Sequence, residues 1–225
     1  MANVSHELRT PLTAIRGYVE ALLDEPSLGD DARGFLDIIG RHTARMERLV
    51  KDLLRLARLD ARQEPLERTR CGVRDAFDGV LSDLSQGVDA RQQRVTIDIP
   101  ADAAYVDADP GKLHDILRNL VENAVNYSPP QSNIHLTAER HGAAVHVIVS
   151  DSGPGIPPSD LTRVFERFYR VDKSRSGPGG TGLGLSIVKH LVELHDGQVS
   201  VANSPGGGAV FTVVLPDAVA EARVS

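Results

Sequence analysis

The chain has 225 residues, of which 41% are hydrophobic and 25% charged, as in an ordinary globular protein. This length allows one large domain or two small ones. The net charge of −6 argues against a broad binding surface for nucleic acid or an anionic membrane, and a single cysteine, Cys71, excludes an internal disulfide framework.

No apolar run reaches the length of a membrane span, and the N-terminus lacks the apolar core of a signal peptide. A dense motif begins almost directly after Met1. We therefore expect the chain to be a piece of a longer protein.

Two long helices are predicted before residue 62, separated by the turn-forming segment 24–30. The first carries one apolar stripe, formed by Val4, Leu8, Leu12, Ile15, Val19 and Leu22. The second has the heptad spacing of a coiled coil or helical bundle, at Phe35, Ile39, His42, Met46, Leu49, Leu53 and Leu56. Two such helices cannot close a core alone. We expect either a homodimer that forms a four-helix bundle or a hairpin that packs on the rest of the chain.

His6 lies on the other side of the first helix, about 160° from Leu8. Thr10 is one turn away on the same face, Glu7 adjoins His6, and Pro11 removes a backbone donor and bends the helix just after the histidine. A histidine beside a carboxylate and a hydroxyl is a candidate nucleophile, and an ordinary solvated histidine fits the pattern equally well.

The polar segment 60–65 contains a proline and is predicted to be a linker. Beyond it, apolar alternation predicts strands at 95–99, 134–139, 145–149, 199–202 and 210–215, and helices at 72–86, 111–126 and 184–195. This order favours an α/β sandwich, one sheet covered by helices on one face. The fold class predicted for the whole chain is therefore α+β with two domains.

Three asparagines share one face of the helix predicted at 111–126: Asn119, Asn123 and Asn126. Asparagine is a poor residue inside a helix, because its amide competes for backbone hydrogen bonds. An amide oxygen suits a Mg²⁺ ion that already carries phosphates. A solvated helix face is the alternative.

Two glycine-rich segments follow. Asp151-Ser-Gly-Pro-Gly-Ile156 comes after an apolar strand, where its glycines allow close approach by a flat ligand and its aspartate can accept from an adenine amino group. The segment 177–185 leads directly into a helix, whose free N–H groups and dipole favour phosphate. It is neither a P-loop nor a Rossmann turn. Between them, the aromatic segment 164–170 is predicted to be a flap, with core packing as the alternative for Phe165 and Phe168.

The string Ser5-His-Glu-Leu-Arg-Thr-Pro-Leu12 resembles the H-box of histidine kinases, and residues 2–22 are similar to kinases of the phosphate-sensing PhoR type. The asparagine helix, the two glycine segments and the aromatic segment resemble the N, G1, G2 and F boxes of the family's catalytic domain. That domain shares its nucleotide fold with Hsp90, MutL and gyrase. The resemblance covers residues 2–216. It implies a helical hairpin that dimerises into a four-helix bundle (1–62), a linker (63–70), an α/β sandwich that binds ATP (71–217) and a flexible tail (218–225).

The resemblance also implies roles for individual residues. His6 would accept the phosphate, Glu7 would orient or deprotonate its imidazole, and Thr10 would support dephosphorylation of the partner. Asn123 would bind Mg²⁺ and Asp151 would recognise adenine. The residues expected at the nucleotide are Asn119, Asn123, Tyr127, Asp151, Gly153, Gly155, Gly180, Thr181, Gly182, Leu183 and Gly184.

The function implied is ATP-dependent autophosphorylation of His6, followed by transfer to an aspartate of a response regulator, together with phosphatase activity. The implied cofactors are ATP and Mg²⁺, and the implied partners are a second copy of the chain and a receiver domain, without nucleic acid. A cytoplasmic location is expected, with the membrane reached only through a region absent from this chain.

Two departures from the family pattern stand out. Asn126 occupies a position where many members have Lys or Arg, and Ala209 follows the glycines 206–208 where members often have Thr. Three alternatives remain at this stage: an ATPase that uses water as the acceptor, a core biased towards dephosphorylation, and a non-catalytic dimerisation module.

Overall fold

A computed structural model describes residues 2–25, 28–61, 64–171 and 181–218, without the side chains of residues 2–10. The chain forms two compact units, Met1–Glu64 with Arg175–Gly184, and Pro65–Ser174 with Leu185–Ser225. Within the described ranges, no helix combines the length and apolar character that crossing a bilayer requires.

The first unit contains the helices α1 (Ala2–Leu23) and α2 (Asp30–Asp60). Leu12 and Val19 of α1 are buried, and Gly40 of α2 lies so close to Val19 that an added Cβ would be 3.4 Å from its side chain. Arg16 of α1 donates to Glu47 of α2 at 2.9 Å. The two helices therefore pack along part of the stripe predicted for α1.

Much of the predicted heptad seam is exposed in the single chain. Phe35, for example, is 67% exposed, although a side chain of this kind is normally buried. The apolar side chains exposed on the two helices are Ile15, Tyr18, Leu22, Phe35, Ile38, Ile39, Met46 and Leu53. The described part of the hairpin thus leaves a large apolar surface uncovered, in line with the prediction that two helices do not close a core alone.

The second unit contains two sheets. The strands β1 (Thr69–Gly72) and β3 (Tyr105–Ala108) pair antiparallel. The larger sheet has the order β2-β4-β5-β7-β6, with β2 (Arg94–Asp98), β4 (Asn133–His141), β5 (Ala144–Ser150), β6 (Gln198–Asn203) and β7 (Ala209–Pro216). All its neighbouring strands are antiparallel except the parallel pair β2 and β4.

Burial alternates along the central strands, so that one face of the larger sheet is covered. Val147 of β5 lies between Ala138 of β4 and Val213 of β7 in the register, and all three are buried. The helices α3 (Val73–Ala90), α4 (Pro110–Tyr127) and α5 (Gly184–Leu194) also bury apolar faces, including Phe77, Leu117, Leu120 and Leu191. The predicted helical part plus α/β sandwich is confirmed.

Two features differ from the sequence-based expectation. The small β1–β3 sheet was not predicted, because each strand has only four residues and too short an alternation to recognise. The helix α3 runs to Ala90, beyond the predicted end at residue 86. Gly87 lies inside the helix, where an added Cβ would be 3.8 Å from the Val125 side chain, an ordinary van der Waals distance.

Candidate nucleotide and phosphoacceptor sites

The predicted phosphoacceptor segment lies within α1. His6, Glu7 and Thr10 have helical backbone, and the helix continues past Pro11 to Leu23. The side chains of these three residues are outside the description, so their roles remain predictions.

The asparagine face of α4 is partly exposed, opposite a buried apolar stripe. Asn119 donates from Nδ2 to the carbonyl of Asp115 at 2.8 Å, which leaves its own carbonyl oxygen available. The side chain of Asn123 makes no hydrogen bond to any described residue. Tyr127, at the end of the helix, is 59% exposed. This face therefore presents two amide oxygens and an aromatic ring at a half-buried surface.

Asp109 fixes the beginning of α4. Its carboxylate caps the helix by accepting from the Lys112 amide at 3.1 Å, and it accepts from the Glu67 amide at 3.1 Å and from Lys112 Nζ at 2.9 Å. Burial alone would raise the pKa of Asp109, but the hydrogen bonds from Lys112 and Glu67 outweigh it and lower that pKa to about 2. The cap is therefore ionised at neutral pH.

Arg91 and Gln93 fix the end of α4. The last carbonyls of a helix lack intrahelical partners and carry the negative end of the dipole. Arg91 lies in the turn after α3, and its guanidinium donates to Ser128 O at 2.7 Å and Asn126 O at 3.3 Å. The buried Gln93 amide donates to the carbonyls of Val125, Ser128 and Pro129 at 3.1–3.3 Å. These donors hold the last turn, and with it Tyr127, in place.

Asp151 follows directly after β5, and the backbone orients its carboxylate. Its Oδ1 accepts from the amides of Gly153 at 2.8 Å and Ala209 at 3.1 Å. Burial raises the pKa of Asp151, while these two bonds act in the opposite direction. Its Oδ2 accepts no hydrogen bond from the described part of the chain. One carboxylate oxygen is thus available to a donor such as the amino group of a heterocycle.

The two glycines after Asp151 are needed where they stand. A Cβ on Gly153 would lie 2.8 Å from Asp151 Oδ1 and 3.1 Å from the carbonyl oxygen of Tyr127. Gly155 has a φ of +73°, which side chains rarely adopt. We call residues 151–156 the Asp151 turn. The contact at Gly153 shows that this turn lies directly against the end of α4, so the structure brings Tyr127 and Asp151 together.

The predicted flap divides into two environments. The ring of Phe165 packs edge-on against Phe211, with centroids 6.4 Å apart, so the core-packing alternative holds for Phe165. Phe168 is 56% exposed and has a φ of +63°. Lys173 and Arg175, which follow this segment in the sequence, lie outside the described residues.

The second glycine segment is described from Thr181 onwards, and Gly180 lies outside the described residues. Gly182 has a φ of +75°, Leu183 is fully buried, and α5 begins at Gly184. The Thr181 hydroxyl accepts from the Leu183 amide at 3.2 Å. Within the first unit it also donates to Asp52 Oδ2 at 2.9 Å. A helix therefore begins where the sequence predicts a phosphate-binding N-terminus.

Sequence reasoning missed Arg91 and Gln93, and also Asn203, which bonds to the Asp151 turn. These residues are far from the motifs along the chain, and no local spacing relates them. An ordinary polar residue next to a turn gives no signal of this kind, because only the folded chain shows which carbonyl or amide it faces.

Two family models match the chain. Residues 1–62 match the His Kinase A (phospho-acceptor) domain, and residues 108–219 match the histidine kinase-, DNA gyrase B- and HSP90-like ATPase. The phosphate regulon sensor protein PhoR of Pseudomonas aeruginosa is 40% identical over 228 residues, which cover 99% of this chain and 51% of that protein. The sensor-like histidine kinase SenX3 of Mycobacterium tuberculosis is 39% identical over 217 residues, covering 96% of this chain and 53% of SenX3. The chain thus spans about half the length of these curated relatives.

Solved histidine kinases share the fold. Full-length ShkA in complex with AMPPNP superposes with a TM-score of 0.78 at 29% identity, covering 96% of this chain and 45% of ShkA. The histidine kinase ThkA in complex with the response regulator protein TrrA gives a TM-score of 0.70 at 26% identity, covering 96% of this chain and 60% of ThkA. A phosphoacceptor-domain match is followed by an ATPase-domain match, and the curated relatives are similar to the chain over almost its whole length. The chain therefore belongs to the sensor histidine kinase family.

Proposed function

We propose that this chain uses ATP to phosphorylate its own His6 and then transfers the phosphoryl group to an aspartate of a response regulator. One observation carries the proposal: a phosphoacceptor-domain match that contains His6 precedes, in the same chain, an ATPase-domain match that contains Asn119, Asn123 and Asp151. An ATPase that uses water as its acceptor would have no need of the first domain.

Adenine recognition is assigned to the Asp151 turn. The available Oδ2 of Asp151 would accept from the adenine amino group, and Gly153 and Gly155 would let the base approach the backbone. Tyr127 would line the same site. The phosphates would bind the segment formed by Gly180, Thr181, Gly182, Leu183 and Gly184, where the N-terminus of α5 offers N–H groups and a favourable dipole. The AMPPNP complex of ShkA supports ATP as the nucleotide.

The residues present fit a Mg²⁺ ion only together with phosphates. No described group of three or more His, Cys, Asp or Glu side chains is arranged to hold a metal, whereas the Asn123 side chain has no hydrogen bond to the described residues. A neutral amide oxygen is a hard ligand that suits Mg²⁺ carried by ATP. Asn123 would be the direct ligand and Asn119 would position the metal and phosphates. When bound, Mg²⁺ would neutralise charge on the phosphates.

The transfer to His6 forms a nitrogen–phosphorus bond and breaks the bond between the γ-phosphorus and the bridging oxygen, so that ADP leaves. A neutral imidazole, abundant near pH 7, is the nucleophile, and Glu7 accepts or orients its remaining proton. Thr10 would act in a separate reaction, the dephosphorylation of the regulator. Such a transfer depends mainly on in-line positioning and charge neutralisation.

The domain organisation follows from the same proposal. Residues 1–62 would be the dimerisation and phosphotransfer domain, 63–70 a linker, 71–217 the catalytic domain and 218–225 a tail. The exposed apolar side chains of α1 and α2 would meet those of a second copy in a four-helix bundle. The ThkA–TrrA complex supports a receiver domain as the partner. In the full-length protein this part would lie in the cytoplasm, below a membrane-bound sensor region.

The experiment is incubation with Mg²⁺ and γ-labelled ATP. It compares the wild-type chain with His6→Gln and with the control His141→Gln, which changes an exposed histidine at the end of β4. We expect label that is labile in acid and stable in alkali, lost in His6→Gln and kept in His141→Gln. Label that survives His6→Gln would show that a residue other than His6 accepts the phosphate. Release of phosphate without any labelled protein would favour the ATPase.

A further inference from the structure

Asn203, the last residue of β6, pairs with the backbone of Ile156 through both ends of its side-chain amide. Its Oδ1 accepts from the Ile156 amide at 2.8 Å, and its Nδ2 donates to the Ile156 carbonyl at 2.7 Å. The side chain thereby reproduces the two-bond exchange of an antiparallel strand pair. Since Asn203 is itself exposed, these bonds have no role in burying a core.

This pair fixes the last residue of the Asp151 turn. Gly155, directly before Ile156, has a φ of +73° and lies so close that an added Cβ would be 2.9 Å from Asn203 Oδ1. Glycine has many conformations available, and a turn that contains it loses them only if something outside the turn holds it. Asn203 supplies that restraint at the exit of the turn.

The entry of the turn is held by the other side of the same β6–β7 hairpin. The Asp151 amide donates to Ala209 O at 2.9 Å, and the Ala209 amide donates to Asp151 Oδ1 at 3.1 Å. Gly208 has a φ of +90°, and a Cβ there would collide with the Asp151 carbonyl oxygen. Ser204 closes the hairpin by donating to the Gly208 carbonyl at 3.0 Å. The hairpin therefore contacts the turn at both ends.

We propose that Asn203 is a positioning residue for nucleotide binding: it holds the Asp151 turn in the conformation that receives the base, without touching the nucleotide. The inference rests on the proposed function, because it takes the Asp151 turn as the adenine site. A turn that is ordered beforehand loses little entropy when the ligand binds, whereas a loosened turn must be ordered at the expense of affinity.

The test is titration of the chain with Mg·ADP at a temperature well below its unfolding midpoint. Asn203→Ala removes both bonds, and Asn203→Asp keeps the acceptor for the Ile156 amide but places a carboxylate against the Ile156 carbonyl. We expect both substitutions to raise the Kd for ADP by about 5-fold, since one or two hydrogen bonds are lost. Ser200→Ala, an exposed change on the same strand, is the matched control and should stay within about 2-fold.

Two further measurements separate positioning from a general loss of stability. Hydrogen exchange of the Ile156 amide should accelerate in Asn203→Ala, because its acceptor is gone. The KM for ATP in autophosphorylation should rise while the rate at saturating ATP stays close to wild type.

Three outcomes would count against these assignments in different ways. ADP affinity in Asn203→Ala equal to wild type would overturn the positioning role. A lower unfolding midpoint with an unchanged Kd would also overturn it, because that result describes a purely structural residue. Failure of the wild-type chain to bind ADP would contradict the proposed function, and the role of Asn203 would fall with it.

Discussion

His195 is a fully buried ionisable residue of the second unit, and both of its ring nitrogens are engaged. Its Nδ1 donates to the carbonyl of Leu191 at 2.7 Å, and its Nε2 accepts from the amide of Asp109 at 3.0 Å. An imidazole that accepts at one nitrogen must be neutral. Burial, assisted by the nearby cations Arg68 and Lys112, lowers the pKa of His195, against the opposing effects of the Leu191 carbonyl and Asp109.

We predict that the stability of the second unit falls as the pH drops below about 6.5 and that His195 causes part of this fall. Above that pH the imidazole is neutral in both states. Below it, the unfolded chain binds a proton before the folded chain does, so the free energy of unfolding decreases as the pH falls through the folded pKa. Asp109, with its pKa of about 2, keeps its stabilising contribution above about pH 4 and adds no slope here.

Urea denaturation at pH 7.5 and 5.5 checks this prediction. His195→Leu should lower the free energy of unfolding by about 1–3 kcal/mol at pH 7.5, because the Asp109 amide and Leu191 carbonyl lose their partner. It should also reduce the difference between the two pH values. His135→Gln is the control, since that histidine is exposed on the same unit. An unchanged pH difference in His195→Leu would show that other groups cause it.

The sequence predicts the positions of some of these residues and not of others. The tight turn at Asp151 and Gly153 was predictable, because an aspartate at a strand end followed by glycines is a local pattern with a physical reason. Asn203 was not, since its importance lies in the position of Ile156, 47 residues away along the chain. No motif surrounds His195 in the sequence, and its bond to the Asp109 amide depends on the fold.

The helix α4 depends on contacts at its ends that its own sequence only half reveals. The Asp-Pro start at residues 109–110 follows a familiar rule, an acidic cap followed by proline in the first turn, and the predicted start at 111 is one residue from the observed one. The end has no glycine cap. Its carbonyls are satisfied by Arg91 and Gln93, which come from the turn after α3. Sequence periodicity therefore does not predict how this helix is capped at its end, because the capping residues are distant along the chain.

We predict that Arg91→Ala lowers the free energy of unfolding by about 1–2 kcal/mol. The change removes two charge-assisted hydrogen bonds to carbonyls of the last turn and a cation at the negative end of the helix dipole. Arg91→Lys is the matched control. Because it keeps the cation, its free energy of unfolding should fall by less than that of Arg91→Ala. Equilibrium urea denaturation measures both. Equal stability of Arg91→Ala and wild type would show that solvent replaces the guanidinium without cost.

At the scale of the whole molecule, the hairpin of α1 and α2 is incomplete as a single copy. Its heptad pattern was readable from sequence, but the register in which Leu12 and Val19 pack inwards while Phe35 and Met46 stay exposed needed the structure. An exposed apolar surface of this extent is rare on a monomer and marks an interaction site. The proposed second copy would cover it with an identical surface, as two-fold symmetry requires.

We predict that the wild-type chain, with a monomer mass of 24.2 kDa, is a dimer by light scattering coupled to size exclusion, and that Leu53→Glu shifts it to a monomer. Leu53 is 45% exposed on α2, and a carboxylate there would be buried without a partner in the bundle. Lys51→Glu also introduces a carboxylate, at an exposed polar position about 160° away around the helix, and should remain dimeric. A monomeric wild-type chain would contradict the proposed dimer. A dimer that persists in Leu53→Glu would place the dimer contact elsewhere on the chain.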